Sequence, residues 1–590
     1  MRSPALQYLY LQKPITTVII ICMISVLPWL GMGDFSTSEE AREASVAAAM
    51  LETGNWTLPE VYAGQFSHNP PLQHWLIALF SLPKGEVTPF TSRLPSALAF
   101  MTLIGLTLSF LGQRIRFQNA FITVLILISC IGLHFTAMIA GVYMLFTTFV
   151  LAAIYEMYKW EEKQDLKGIP PAIPLLISGA ILTKGLIGLL LPILIFSIYL
   201  ILLKRYDFLR IFKSLLYILI TALFIPAIWY FAAWKQGGDA FTQIIIAENY
   251  GLVFNYSQAR QFIESANPKG VGYMLTSLLG GFMPWTVLAV LSLFTLSFKR
   301  KKSSKHQRIS DSRMSGYFRE EEKIRLLAII TIIVSLILFS IPVSKSASLL
   351  LITYPFIALF LAQYFIYLSA NKAFITRLFA GLLFLFTATG IVIIIATMTG
   401  FLDPALLVSQ YTESQAIIEL VENIKNISII HKGFTIVLLV FLTIASATVC
   451  YQLFKKINIK IIYAAVFLAF VVNVFTDSVF IRGIRKGSTS KLFARMIKKD
   501  YPIQSNNIYV VADNNQYTPL YGMNFYLDGA LQNFHEQLEK GYLLVSSKDY
   551  NKVKTTYGDT YTFSVVSTSS YFVRDSKSEI ILTEFIHKKQ

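Results

Sequence analysis

The chain has 590 residues, of which 55% are hydrophobic, and its formal net charge is +17. A water-soluble protein of this length would be far more polar, so the composition excludes a soluble enzyme and indicates a polytopic helical membrane protein. The basic excess is typical of the cytoplasmic loops that orient such proteins, so we expect no nucleic-acid partner.

Apolar stretches long enough to cross a bilayer recur from residue 15 to residue 480 and predict about thirteen transmembrane helices. The predicted spans are 15–33, 91–112, 118–136, 139–158, 171–187, 188–203, 213–234, 272–297, 324–343, 348–368, 376–398, 433–454 and 461–480. With the N-terminus in the cytoplasm, every connection on that side is basic, as in "KRKKSSKHQR" at 299–308. An odd number of spans then places the C-terminal tail outside, in the periplasm of a Gram-negative cell.

The first predicted outer segment, 34–90, opens with an amphipathic helix. Hydroxyl side chains at 36–38 can cap its start, and Glu39, Glu40 and Glu43 fall in its first turns, where the helix dipole favours carboxylates. Composition and spacing alone therefore give these acids a structural explanation, which is that they stabilise the helix start.

An aromatic and proline-rich stretch, 56–75, follows and suits the membrane interface. It contains His68, Asn69 and His74, and the spacing of its two histidines predicts ordinary polar contacts rather than a metal site. A divalent metal stays open, because these histidines and Glu248 could meet, although no ligand spacing demands it. We expect no other cofactor.

Four basic residues break the positive-inside pattern by falling on the predicted outer side, near the membrane ends. They are Arg42, Arg93, Lys184 and Lys345. A cation at that depth needs a partner, which could be a lipid headgroup, a helix C-terminus or the phosphate of a bound lipid substrate. We favour the phosphate, because all four are expected to converge on one face.

Two further long segments, 235–271 and 481–590, are predicted to lie outside the membrane. In the second, the apolar runs shorten to strand length, as in "NIYVVAD", "GYLLVSS", "TYTFSVVS" and "EIILTEF". We therefore predict two domains, a transmembrane domain over 1–480 and a small periplasmic α/β domain over 481–590. The connection 399–432 contains "SQAIIELVENIKN", which predicts an amphipathic helix.

The order of several motifs resembles the GT-C membrane glycosyltransferases. The sequence "EEAREASVAAAMLETGNWTLPEVYAGQFSHNPPLQHWLIALF" and then "TPFTSRLPSALA" look like the first outer loop of that family. Later matches are "LTKGLIGLLLPI", "GGFMPWTV" and "SKSASLLLITYPFIALFLA", while "YGMNFYLDG" resembles part of the family's small periplasmic domain. The closest branch contains lipid A aminoarabinose transferase and the dolichyl-phosphate-mannose-type protein mannosyltransferases. The resemblance runs in order over most of residues 15–370.

This resemblance implies an all-α GT-C membrane fold and an inner-membrane enzyme. The implied reaction takes a sugar from a polyprenyl-phosphate donor and passes it, at the periplasmic face, to lipid A, another surface glycolipid or a secreted protein. By position, Glu39 matches the family's catalytic acid and Glu40 its second acid, with Glu43 a bystander. The implied residues for the donor phosphate, or for the loop around it, are Arg42, Arg93, Lys184, Lys345, His68, Asn69 and Tyr143.

The sequence departs from the family pattern at four of these motif positions. Glu39 stands where the family usually has Asp, Asn69 where it has Lys, Tyr143 where it often has an acid, and Leu349 where it has Tyr. Two other functions are therefore weighed. A flippase or transporter of polyprenyl-linked glycans would bury charges at mid-membrane and show internal repeats, and neither is visible. A non-catalytic, lipid-binding relative would keep the lipid site without the chemistry.

Overall fold

A computed structural model describes residues 12–590 apart from 63–64, 248–268, 271, 295–311, 343, 413–414, 488, 512–516, 536, 570–572, 574–575 and 589–590. The described α-helices are α1 Pro14–Val26, α2 Ser38–Thr53, α3 Leu72–Ser81, α4 Pro89–Gly112, α5 Phe117–Ile128, α6 Ile131–Ala137, α7 Val142–Gln164, α8 Ala172–Lys184, α9 Ile187–Leu203, α10 Phe208–Ile246, α11 Tyr273–Gly281, α12 Trp285–Leu293, α13 Ser312–Ser340, α14 Tyr354–Asn371, α15 Ala373–Met398, α16 Pro404–Ser409, α17 Gln415–Ile430, α18 Lys432–Lys455, α19 Asn458–Phe475, α20 Arg482–Gly487, α21 Ser490–Asp500, α22 Tyr521–Tyr526 and α23 Tyr550–Tyr557. Short 3₁₀ turns occur at Leu27–Trp29 and Ala347–Thr353, and a π-helical turn occurs at Thr476–Ile481.

The protein is a mostly helical, multi-pass membrane protein, as predicted. In the described part of the chain, seven helices are long and apolar enough to cross a membrane, or up to nine spans if each of two bent pairs counts as one. In the residues that the structure describes, each predicted apolar segment is mostly helical, but α8 and α9 are short, and α7 ends in the polar sequence "EEKQ". The higher predicted number of spans therefore stays a prediction.

Two of the predicted spans are broken rather than continuous. Helices α5 and α6 are bent by 63° at their junction, and α11 and α12 by 111°. Pro284 lies at the second junction, where its missing N–H and its ring interrupt helical hydrogen bonding. The two junctions contact each other, because Ile131 N donates to Met283 O at 3.0 Å. Gly132 and Gly281 meet there so closely that a Cβ on Gly132 would lie 2.8 Å from Gly281 O.

The segment predicted as an outer loop at 235–271 begins instead as helix. Helix α10 continues to Ile246 and is kinked at Gly238, whose φ of 56° is one that glycine adopts easily. Residues 248–268, and with them Glu248, lie outside the described residues. Helix α17 confirms the amphipathic helix predicted within 399–432.

The C-terminal part carries the predicted small α/β domain. Its strands are β3 Ile508–Val510, β4 Gln532–Asn533, β5 Lys540–Ser546, β6 Tyr561–Thr568 and β7 Ile580–His587, while β1 Glu60–Tyr62 and β2 Gln65–Phe66 form a hairpin in the 34–90 segment. The five-stranded sheet has the order β4-β3-β5-β7-β6 and is mixed, with β3 parallel to both its neighbours. The boundary predicted at 481 falls at the end of the π-helical turn, and it stays a prediction.

Helix α2 packs against this C-terminal domain. Val46 and Met50 of α2 share one buried cluster with Phe493 of α21 and Met523 of α22. The Asn524 amide also donates to the backbone O of Val61 at 3.2 Å. The helix that carries the predicted acids is therefore held between the membrane helices and the C-terminal domain.

Candidate active site

Helix α2 begins at one of the hydroxyl side chains that the sequence predicts as its cap. The Thr37 hydroxyl accepts a hydrogen bond from Glu40 N at 3.1 Å, and Gly54 closes the helix in the left-handed conformation with φ 69°. Glu39 and Glu43 are four residues apart and so lie on one face, while Glu40 is turned about 100° away from Glu39. This difference in direction separates the three acids into different environments.

Glu40 is fully buried in an ion pair with Arg93. Its Oε1 lies 2.7 Å from Arg93 Nε and also accepts a hydrogen bond from Ala140 N at 3.2 Å. Its Oε2 accepts hydrogen bonds from the backbone and hydroxyl of Ser36. Burial alone would raise the pKa of Glu40, but the charges of Arg93 and Arg485 outweigh it and lower that pKa to about 2. Glu40 is therefore a fixed, ionised anchor.

The Arg93 guanidinium is likewise engaged on all sides. Besides Glu40, it donates to the backbone carbonyls of Leu30 at 2.8 Å and Asp34 at 2.9 Å. Its side chain is completely buried. These contacts give the Glu40–Arg93 pair a structural explanation. The catalytic role expected for Glu40 and the phosphate contact expected for Arg93 stay predictions.

Glu43 is the centre of a second buried network. Its Oε1 accepts hydrogen bonds from Asn69 Nδ2 at 2.8 Å and Arg42 Nη2 at 3.1 Å, and its Oε2 lies 2.7 Å from His74 Nε2. Burial opposes ionisation, but His74, Arg42 and Asn69 hold the pKa of Glu43 well below its usual range. Glu43 therefore organises the contacts of Asn69, Arg42 and His74, and its spacing of four residues from Glu39 is the sequence signal that places both acids on one face. The expectation that Glu43 takes no part in catalysis stays a prediction.

Lys184 joins this network through Asn69. Lys184 Nζ donates to Asn69 Oδ1 at 3.0 Å and lies 5.8 Å from the centre of the Tyr143 ring. Lys184 is the last residue of α8, and its ammonium group therefore lies at the C-terminal end of the helix, which favours positive charge. Asn69 therefore bridges an anion and a cation, and it can do so because its amide is both donor and acceptor.

Glu39 differs from its two neighbouring acids. Among the residues that the structure describes, none forms a hydrogen bond or ion pair with its carboxylate, which lies against Gly141. A Cβ added to Gly141 would stand 3.1 Å from Glu39 Oε1. Burial raises the pKa of Glu39 to about 7, although the nearby positive charges of Arg42 and Lys184 oppose the rise. Of the three acids, Glu39 is the one suited to exchange a proton near neutral pH.

The remaining predicted site residues lie in other settings. Lys345 Nζ donates to the backbone O of Lys269 at 2.9 Å, and Lys269 Nζ donates back to Lys345 O at 3.0 Å. His68 is half-buried beside Asn69. The network therefore links Arg42, Asn69 and Lys184 to Glu43, and the charges of Arg42 and Lys184 also act on Glu39. Lys345 is held by a different segment. Within the described ranges, no three His, Cys, Asp or Glu side chains are placed to hold a metal ion.

The resemblance to the GT-C glycosyltransferases implies a body of membrane helices and a small C-terminal domain. The structure has both, and the acidic site lies between them. The family model for dolichyl-phosphate-mannose-protein mannosyltransferase matches residues 68–230. This range includes Asn69, His74, Arg93 and Lys184, so it overlaps much of the site.

Two curated relatives are similar to part of the chain, and both are named undecaprenyl phosphate-alpha-4-amino-4-deoxy-L-arabinose arabinosyl transferase. The protein from Shewanella sediminis is 24% identical over 272 residues, which cover 45% of this chain and 47% of the relative. The protein from Erwinia tasmaniensis is 23% identical over 257 residues, which cover 42% of this chain and 44% of the relative. The chain thus spans about half of the length of the curated relatives it matches.

Solved structures extend the likeness to almost the whole fold. ArnT from Cupriavidus metallidurans bound to undecaprenyl phosphate superposes with a TM-score of 0.67 and 17% identity over 97% of this chain and 98% of that chain. The apo form of the same protein superposes with a TM-score of 0.66 and 17% identity, over 96% of this chain and 97% of that chain. The comparisons confirm the predicted resemblance to the GT-C membrane glycosyltransferases, and within that class the fold is like that of ArnT.

Proposed function

We propose that this protein is a glycosyltransferase of the bacterial inner membrane. It transfers a sugar from a polyprenyl-phosphate donor to lipid A, another surface glycolipid or a secreted protein at the periplasmic face. The observation that carries the proposal is the Glu39 carboxylate, which lies against Gly141 and whose pKa burial raises to about 7, although the charges of Arg42 and Lys184 lower it. The names of the curated relatives, which contain an undecaprenyl-phosphate sugar, support the donor class.

In the proposed reaction, the ionised Glu39 accepts the proton of the acceptor hydroxyl as its oxygen attacks the anomeric carbon of the sugar. The bond between that carbon and the phosphate oxygen breaks, and the bonding electrons leave with the polyprenyl phosphate. A positioned general base contributes about 10²- to 10⁴-fold to such a step. The products are the glycosylated acceptor, the lipid phosphate and a protonated Glu39.

The leaving phosphate gains negative charge as the bond breaks, so cations must stabilise it. Lys184 and Lys345 are the proposed contacts. An ammonium group has three donors, and the backbone O of Lys269 takes one donor of Lys345. Arg42 is paired with Glu43 and borders Glu39, so we assign it to orienting the sugar-bearing end of the donor.

The proposed orientation has a cytoplasmic N-terminus and a periplasmic C-terminal domain. Basic residues in the connections predicted to be cytoplasmic support it, for example Arg114 and Arg116 between α4 and α5. A lipid-linked donor stays in the bilayer, so the site between α2 and the membrane helices suits a substrate that arrives laterally from the membrane.

The proposal is tested with purified protein in lipid nanodiscs, a polyprenyl-phosphate donor with a labelled sugar, and extracted outer-membrane glycolipids or secreted proteins as acceptors. Label should appear in one acceptor class, and unlabelled polyprenyl phosphate should accumulate in equal amount. In proteoliposomes, label that crosses the bilayer without joining an acceptor would instead identify a flippase. Donor binding without turnover in every acceptor mixture would identify a non-catalytic relative.

A further inference from the structure

The loop between α6 and α7, residues 138–141, lies directly beneath the two acids. Ala140 N donates to Glu40 Oε1, and Gly141 is close enough to Glu39 Oε1 that any side chain there would crowd it. Because Glu39 has no partner of its own among the described residues, the path of this loop decides where its carboxylate can stand.

A segment far away in sequence, described at 477–487 and 489–491, contacts this loop from the other side. The buried Arg485 donates from Nη2 to the backbone O of Met138 at 3.0 Å. Asp477, in the π-helical turn, pairs with His134 Nε2 on α6. Both contacts are almost fully buried, so they are shielded from water and fix the loop at its start.

The same segment also reaches the acids through the turn that precedes α2. Lys491 Nζ lies 2.8 Å from Asp34 Oδ1, and the backbone O of Asp34 accepts a hydrogen bond from Arg93. A Cβ on Gly33 would meet the Cβ of Arg485 at 2.5 Å, so the segment and the turn are in direct contact. The loop and the turn are thus both contacted by described residues of this part of the chain, namely Asp477 and Arg485 before residue 488 and Lys491 after it.

We infer that Arg485, Asp477 and Lys491 are positioning residues, which set the Glu39 carboxylate through the 138–141 loop and the 33–34 turn. This inference rests on the proposed function only for its kinetic readout. The junction between the membrane body and the C-terminal domain then determines the alignment of the catalytic acid.

The test compares Arg485→Met and Arg485→Lys, with Lys491→Met and Lys498→Met as a matched pair on α21. Lys498 pairs with the exposed Asp528 and makes the same type of contact away from the acids. Arg485→Met should lower kcat by about 10-fold or more with little change in the donor KM, because misalignment affects the chemical step more than binding. Arg485→Lys should restore part of the loss, and Lys491→Met should lower kcat while Lys498→Met should not.

A second readout does not depend on transfer. The wild type and each variant are compared with the same protein carrying Glu39→Gln in addition. The difference in unfolding temperature between the two members of each pair is measured as a function of pH. The midpoint of that pH dependence lies between the pKa values of Glu39 in the unfolded chain and in the folded protein, so it should fall when a loosened loop admits water to the carboxyl and lowers the folded-state pKa. Unchanged midpoint and kcat in folded Arg485→Met overturn the inference. If Arg485→Met does not fold, equal results for the two lysine variants overturn it. If the wild type transfers no label, the proposed function fails while the midpoint still decides this inference.

Discussion

Asn69 Oδ1 accepts a hydrogen bond from Lys184 Nζ at 3.0 Å, and this contact ties the cation of α8 to the anion on α2. On its other side, the Asn69 amide donates to Glu43 at 2.8 Å. A lysine here, as in the family pattern that the sequence resembles, would place two ammonium groups side by side. The asparagine instead holds a single cation in a defined place near Glu39.

Removal of the Asn69 amide should therefore weaken transfer through Lys184. We expect Asn69→Ala to lower kcat/KM by about 10-fold, since the net contribution of one buried hydrogen bond to a charged group is about 1.5 kcal/mol or more. In a double-mutant cycle, Lys184→Ala should then cost much less in the Asn69→Ala background than in the wild type. Additive effects of the two substitutions would show that the bridge does not matter for transfer.

Transfer should require glycine at position 141, because a side chain there would crowd Glu39. Its φ of −154° is open to any residue, so Gly141→Ala introduces no backbone strain. The new methyl group would lie 3.1 Å from Glu39 Oε1 and would push the carboxylate aside. We expect reduced kcat with nearly unchanged unfolding temperature. The control is Gly433→Ala, which meets no atom within 4 Å and should keep full transfer.

The raised pKa of Glu39 has a consequence for stability. Its pKa is about 7 in the folded protein and 4.5 ordinarily, so between these pH values the folded state binds more protons than the unfolded chain. The contribution of Glu39 to the free energy of unfolding should therefore fall as pH rises through this window. Glu39→Gln is neutral throughout, and its stability relative to the wild type should grow from about pH 5 to about pH 8. Thermal unfolding at several pH values checks this, with exposed Glu86→Gln as the control.

The Glu40–Arg93 pair should matter for stability more than for chemistry. Either Glu40→Gln or Arg93→Met leaves a buried partner unpaired, which should cost about 3–5 kcal/mol. The double variant Glu40→Gln with Arg93→Met should be more stable than the less stable single variant, because no uncompensated charge remains. Chemical unfolding in detergent measures all three. Single variants as stable as the wild type would contradict the structural role of the pair.

Much of the fold is readable from the sequence because membrane spans and short strands leave strong apolar patterns. The helix at Ser38–Thr53 and the strands of the C-terminal domain were predictable in this way. The breaks at 129–130 and 282–284 were not, since they depend on two distant glycines that let the junctions meet. Hydropathy measures how apolar a segment is and carries no information about whether it runs straight.

The site was only partly predictable, for a related reason. The motif order singled out Glu39, and burial supplies the physical basis for that choice. The resemblance grouped Glu40, Arg93 and Lys345 with it, but helix geometry turns Glu40 towards Arg93, and Lys345 is held by Lys269. The sequence did not single out His74 or Arg485 as site residues, because each contacts a residue that is distant in sequence. His74 pairs with Glu43 on another helix, and Arg485 donates to the backbone of Met138.

The most direct test of the account is single-turnover transfer of labelled sugar by Glu39→Gln beside the wild type, with donor binding measured on the same samples. Glu52→Gln is the matched control, because it makes the same change at an exposed position of the same helix. The account predicts that Glu39→Gln binds donor normally but transfers at least about 10²-fold more slowly, while Glu52→Gln behaves as the wild type. Transfer by Glu39→Gln at the wild-type rate would contradict the assignment of Glu39 as the catalytic carboxylate.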